Sequence, residues 1–83
     1  MQNTPKIIIE ELIDLHENNN EVNARVLYEA VMLRSAGIDF YDFVLATSEL
    51  VSSGFIVENV INNITRFSIG DPINIVKYRL NNG

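Results

Sequence analysis

Phe43-Val44-Leu45-Ala46-Thr47-Ser48-Glu49-Leu50-Val51-Ser52-Ser53-Gly54-Phe55-Ile56 is the stretch on which the reading of this chain turns. It begins as helix and ends as something else. Gly54 marks the change, because glycine accepts the left-handed conformation that follows many helices. Beyond it the sequence moves towards β-branched residues and alternation, which suit strands. Asp39 offers a cap for the helix, and Asp42 three residues on approximates a capping box at the positive end of the helix dipole. The helix is predicted over about Phe40 to Ser53.

Two more helices are expected upstream. Thr4-Pro5 reads as a helix start, since Thr caps free N–H groups and Pro fits the first helical position. Ile8, Ile9, Leu12, Ile13 and Leu15 then recur at helical spacing, giving a helix from about Pro5 to Glu17 that stops in the run Asn18-Asn19-Asn20. Asn23 caps a second helix, Ala24 to about Ala36, with Leu27, Ala30, Val31 and Leu33 in its apolar stripe and Gly37 as its terminator.

Downstream, Ile64 to Ile69 and Ile73 to Leu80 both read as strands, and Gly70-Asp71-Pro72 reads as the turn between them. Together they predict an antiparallel hairpin. Residues 57–63 fit strand, loop or a short helical turn. The expected architecture is α+β, three helices and then a C-terminal hairpin, in a single domain spanning residues 1–83.

This order resembles a winged helix-turn-helix domain. In that family an apolar helix position four residues before a glycine is followed by an apolar pair entering the sheet, here Leu50, Gly54 and Phe55-Ile56. The turn Ala36-Gly37-Ile38-Asp39 fits between the second and third helices, and Val76-Lys77-Tyr78-Arg79-Leu80 is similar to the last wing strand. As an order of elements the resemblance covers nearly the whole chain. Its motifs are degenerate, since any helix that ends in glycine and feeds a strand looks alike.

The resemblance implies a DNA-reading third helix, and the charges oppose that. Major-groove reading relies on Arg, Lys, Asn or Gln side chains, but between Asp39 and Ser53 the charged residues are Asp39, Asp42 and Glu49. If Phe43, Ala46, Thr47 and Leu50 face inward, as the resemblance implies, then Tyr41, Leu45, Ser48 and Ser52 are exposed. Tyrosine and leucine beside Asp42 and Glu49 suit a protein partner better than a duplex. The bland alternative is that Tyr41 and Leu45 only complete a broad apolar stripe.

The whole chain of 83 residues carries a formal charge of -5, and that field repels phosphate unless the cations are segregated. They are partly so. Residues 1–54 hold Lys6, Arg25 and Arg34 against nine acids, whereas 55–83 hold Arg66, Lys77 and Arg79 against Glu58 and Asp71. With Phe67, Val76, Tyr78 and Leu80 in the core, Arg66, Lys77 and Arg79 would share the solvated face of the wing and touch phosphates. The competing reading is a solvated strand face whose cations discourage edge pairing.

Other chemistry finds little support. There are no cysteines, hence no disulfide and no thiolate nucleophile or ligand. Glu10, Asp14 and Glu17 share a helix face, but no loop supplies the further oxygen ligands that a hard cation wants, so a solvated face is favoured and no metal or cofactor is expected. His16, the single histidine, has no convergent partner and reads as a packing or capping residue. The serines lack an obvious base and no phosphate loop is present, so enzymatic activity and a small-molecule substrate are not expected.

Ile7-Ile8-Ile9 makes the first helix apolar on more than one face. A homodimer through Ile7 and Ile8 is one reading; coverage by an added strand or by residues 57–63 is the other. Apolar runs are too short to span a bilayer and no signal-peptide pattern opens the sequence, so a cytoplasmic location without membrane contact is expected. Asparagine and isoleucine, eleven each, suggest an AT-rich coding sequence of the kind common in phages and some bacteria.

Overall fold

The computed structural model describes residues 3–16 and 21–70. Within them lie α1 (Thr4–His16), β1 (Val22–Asn23), α2 (Ala24–Arg34), α3 (Phe40–Ser52), β2 (Ile56–Ile61) and β3 (Ile64–Ile69). The described residues form an α+β fold of three helices and a three-stranded antiparallel sheet.

Helix ends follow local hydrogen bonding. At α1 the cap falls one residue before the expected Thr4: Asn3 Oδ1 accepts the Lys6 N–H at 3.2 Å, and Thr4 is already helical. Asn23 caps α2 as expected, accepting the Arg25 N–H at 2.8 Å. The C-terminus of α2 differs from expectation. It ends at Arg34, Ser35 turns extended, and the Ile38 N–H closes a tight turn on the Ser35 carbonyl at 3.2 Å. Gly37 lies inside that turn without a positive φ, so it does not terminate the helix in the left-handed way anticipated.

At α3 both expected signals operate. Asp39 Oδ1 accepts the Asp42 N–H at 2.8 Å, and Gly54 takes φ 81°. The Gly54 N–H returns to the Val51 carbonyl and the Phe55 N–H to the Leu50 carbonyl at 3.1 and 3.0 Å. This pair of bonds satisfies carbonyls that would otherwise be orphaned and aims the chain from helix into sheet.

The hairpin lies one strand earlier than the sequence suggests. Residues 57–63, ambiguous by composition, supply most of β2 and the turn, and the partner of Ile64–Ile69 is Ile56–Ile61. Asn62 and Asn63 form the turn with φ of 53° and 64°. Asparagine tolerates this left-handed region, and two such residues in succession match the twist of antiparallel strands. The strand expected at 73–80 lies outside the described residues. Sheet order is β1-β3-β2, so β3 is central, with Val22 opposite Phe67 and Asn23 opposite Arg66 on its other edge.

The core draws on every element: Ile8, Ile9 and Leu12 of α1, Val22, Leu27 and Val31, Ile38, Phe43, Ala46 and Leu50 of α3, then Ile56 and Phe67. Tyr28, Phe43 and Phe67 form an edge-to-face chain with centroids 5.2 and 6.4 Å apart. Thr47, the buried polar residue, donates its hydroxyl to the Val44 carbonyl at 3.0 Å. Leu33, assigned by periodicity to the α2 stripe, is instead 90% exposed. Because α2 stops early, Ile38 occupies the core at that end.

Candidate functional site

The face of α3 that points away from the core is the most distinctive surface among the described residues. Phe43, Ala46, Thr47 and Leu50 are its buried residues, the four named from the sequence. Positions 41, 45, 48 and 52 recur at helical spacing on the opposite side. All four are exposed, with Tyr41 at 69% and Leu45 at 48%.

Apolar exposure extends further than the sequence reading proposed. Phe40 is 61% exposed although its ring meets Tyr28 edge-on at 5.3 Å, and Val44 is also exposed. Phe40, Tyr41, Val44 and Leu45 therefore make one apolar strip. The missed signal was in the sequence: Phe40 and Val44 are four apart, and they border the same helix face as Tyr41 and Leu45.

Carboxylates flank this strip on both sides. Asp42 and Glu49 are exposed on the flank of α3 away from the hairpin. On the other flank a shallow groove separates α3 from the hairpin, with Phe40, Val44 and Ser48 on one wall, Glu58 and Thr65 on the other, and Phe43 and Phe67 beneath. Glu49 also borders a second depression with Leu45, Ser48 and Ser52. No Lys or Arg arises from α3 itself.

The cations assigned to the wing are not gathered at its tip. Arg66 lies in the middle of β3, exposed on the sheet face opposite Phe67, between Asn23 and Asn59 in register. It makes no ion pair among the described residues. The tip carries Ile61, Asn62, Asn63 and Ile64. Lys77 and Arg79 lie outside the described residues.

The two remaining candidate groups are used inside the domain. Ile8 is fully buried and Ile7 packs partly against the same core, so these side chains serve the chain's own packing rather than a free α1 interface. Of the acidic α1 residues, Glu10 and Glu11 both pair with Arg34 from α2, the Glu11 contact being 3.1 Å. The hydrogen bond that Arg34 donates to Glu11, together with the charges of Glu10, Glu11 and Asp14, raises the Arg34 pKa above its ordinary value, against an opposing effect of desolvation. Among the described residues no three acidic or histidine side chains converge as a metal site. No helix there is long and apolar enough to cross a membrane.

Compared with protein-family models, with curated proteins and with solved structures, the chain shows no significant match.

Proposed function

We propose that this chain is a winged-helix-like regulator or adaptor that acts through protein–protein contacts made by the exposed face of α3. Two features support the winged-helix part. The elements run helix, short strand, helix, helix, strand, strand, and the last strand sits between the other two. α3, between the tight Ser35–Ile38 turn and the hairpin, holds the place of a recognition helix.

The observation that carries the function is the chemistry of that helix. It presents Phe40, Tyr41, Val44 and Leu45 to solvent between Asp42 and Glu49 on one side and Glu58 on the other. A duplex offers phosphates, which these carboxylates repel, and polar base edges, which this strip has no amide or guanidinium to read. A protein offers apolar side chains that bury the strip and basic residues that match its rim. The protein is placed inside the cell on the same reading, as a regulator without catalytic activity.

The test is recovery of partners from a lysate with the tagged chain, with and without nuclease, beside the double variant Tyr41→Asp, Leu45→Asp. A partner retained after nuclease and lost in the double variant, at unchanged circular dichroism and melting temperature, is the expected result. Recovery that depends on intact nucleic acid, or salt-dependent binding to duplex DNA, overturns the reading in favour of a DNA-binding regulator gripping phosphates through Arg66 and its neighbours.

A further inference from the structure

The groove between α3 and the hairpin has a floor of two buried rings, Phe43 and Phe67, and walls of side chains. Val44 and Ser48 stand on the α3 wall, Glu58 and Thr65 on the hairpin wall. Val60 is exposed, opposite Thr65 in register and on the same strand face as Glu58, and so continues the hairpin wall towards the tip. The cavity is about 150 Å³, well below the roughly 300–1,000 Å³ of small-molecule sites. It has room for an anchoring side chain of a larger partner.

The backbone around the groove restricts what that partner presents. α3 is bonded within its own helix, and β3, which runs along the floor, is paired with a strand on each side. An extended segment laid here would find no backbone partners, and its own N–H and C=O groups would lie unpaired against apolar side chains. A helix satisfies those groups internally and presents side chains to side chains.

Charge restricts it further. Glu58 is the charged residue lining the groove, and its exposed carboxylate enters no ion pair among the described residues. Asp42 and Glu49, on the other flank of α3, carry the same sign. Arg25 lies beyond Phe40, in an adjoining hollow with Asn63 and Ile64, and is already paired with Glu29 at 3.3 Å. A carboxylate bordering an apolar cavity without a counter-charge is matched by a cation set next to the partner's apolar anchor.

We propose, resting on the reading of α3 as a protein-docking helix, that the groove receives an amphipathic helix of a partner protein. Its apolar anchor enters between Val44 and Thr65, and a Lys or Arg one turn away meets Glu58. Glu58 is then the residue that selects a cationic helix over an anionic one, because like charge at that position opposes docking.

Selection from a displayed library of random peptides about four helical turns long tests this on the intact chain. Glu58→Lys and Glu58→Gln serve as further targets, with circular dichroism to check their fold. The wild type is expected to enrich apolar residues at i, i+3 and i+4 spacing with Lys or Arg one turn from them. Glu58→Lys should enrich Asp or Glu at that position instead, and Glu58→Gln should show no charge preference there. Peptides selected on the wild type should bind Glu58→Lys at least about tenfold more weakly, and should shift the Val44, Ser48 and Thr65 amide resonances of the wild type.

An acidic or strictly alternating consensus, the same consensus on wild type and Glu58→Lys, or amide shifts that avoid the groove overturn the proposal. No enrichment on the wild type, the result if residues 71–83 of the chain itself fill the groove, overturns it too. A lysate partner lost in the Tyr41→Asp, Leu45→Asp variant but retained by Glu58→Lys sinks the Glu58 contact alone and leaves the docking role of α3 standing. A partner retained by both variants sinks the α3 reading itself.

Discussion

A Cβ added to Gly70 would lie 2.5 Å from the carbonyl oxygen of Gly54 and 3.2 Å from that of Phe55. Gly70 ends the hairpin against the point where α3 hands over to β2, and the Gly70 N–H is bonded to the Phe55 carbonyl there. Its neighbour in this contact is backbone and cannot swing aside as a side chain would. Gly70→Ala is therefore expected to destabilise the domain by about 1–3 kcal/mol, the usual range for overpacking. Urea unfolding followed by circular dichroism reads the shift in midpoint.

Gly54 has a different reason to be glycine, its φ of 81°. An L side chain in that region costs roughly 1–2 kcal/mol. Gly54→Ala should lower the unfolding free energy by that amount, and Gly54→Asn by less, because asparagine tolerates left-handed backbone. Equal losses for both would count against a conformational cause.

Phe43 gives the contrast between core and surface on one helix. Its ring is buried and meets Tyr28, Phe40 and Phe67. Phe43→Ala is expected to cost about 3–5 kcal/mol, a large part of the roughly 5–15 kcal/mol that holds a domain together. Leu45→Ala, two residues along on the exposed face, is expected to change stability by no more than about 0.5 kcal/mol. Thermal melts of the two variants separate the faces without any partner.

The contrast also shows what was legible in the sequence. Helix existence, the Asn23 and Asp39 caps and the Gly54 terminus follow from short-range rules, because the groups that satisfy them are within four residues, whereas the inward face of α3 was named through the winged-helix resemblance. The hairpin was displaced for a related reason. Gly70-Asp71-Pro72 has turn composition, whereas Asn62-Asn63 has no glycine or proline to announce it, and Gly70 is glycine because of a contact with residues 54 and 55. That contact, the Arg34 pairing with Glu10 and Glu11, and the hairpin wall that turns the α3 strip into a groove all join residues far apart in sequence, and no local periodicity encodes them. Asn59 Nδ2 donating to Glu21 at 3.1 Å belongs to the same class.

Arg34 allows a signed statement about pH. Its pKa is raised in the folded state by the hydrogen bond to Glu11 and by the charges of Glu10, Glu11 and Asp14. A cation with a raised folded pKa contributes stability that is fully present below its unfolded pKa and is lost as pH rises through the folded value. The window lies in strongly alkaline solution, so titration of Arg34 adds no pH dependence to stability between pH 6 and 9. Arg34→Gln should lower the melting temperature slightly, and the difference from wild type should shrink in 1 M salt, since the pair is solvent-exposed and screened. A difference that grows with salt would mean that packing of the Arg34 stem, not its charge, is what holds α2 to α1.

The Asn62-Asn63 turn offers the most local prediction. Both residues have positive φ, and the second position of such a turn is the one where glycine is favoured. Asn63→Gly is expected to stabilise the hairpin by up to about 1 kcal/mol, the scale on which glycine relieves left-handed strain. Asn63→Val should destabilise it by at least as much, because a β-branched residue is a genuine outlier there. Hydrogen exchange locates the effect. The Asn59 and Arg66 amides, bonded across the ladder, should exchange more slowly in Asn63→Gly and faster in Asn63→Val.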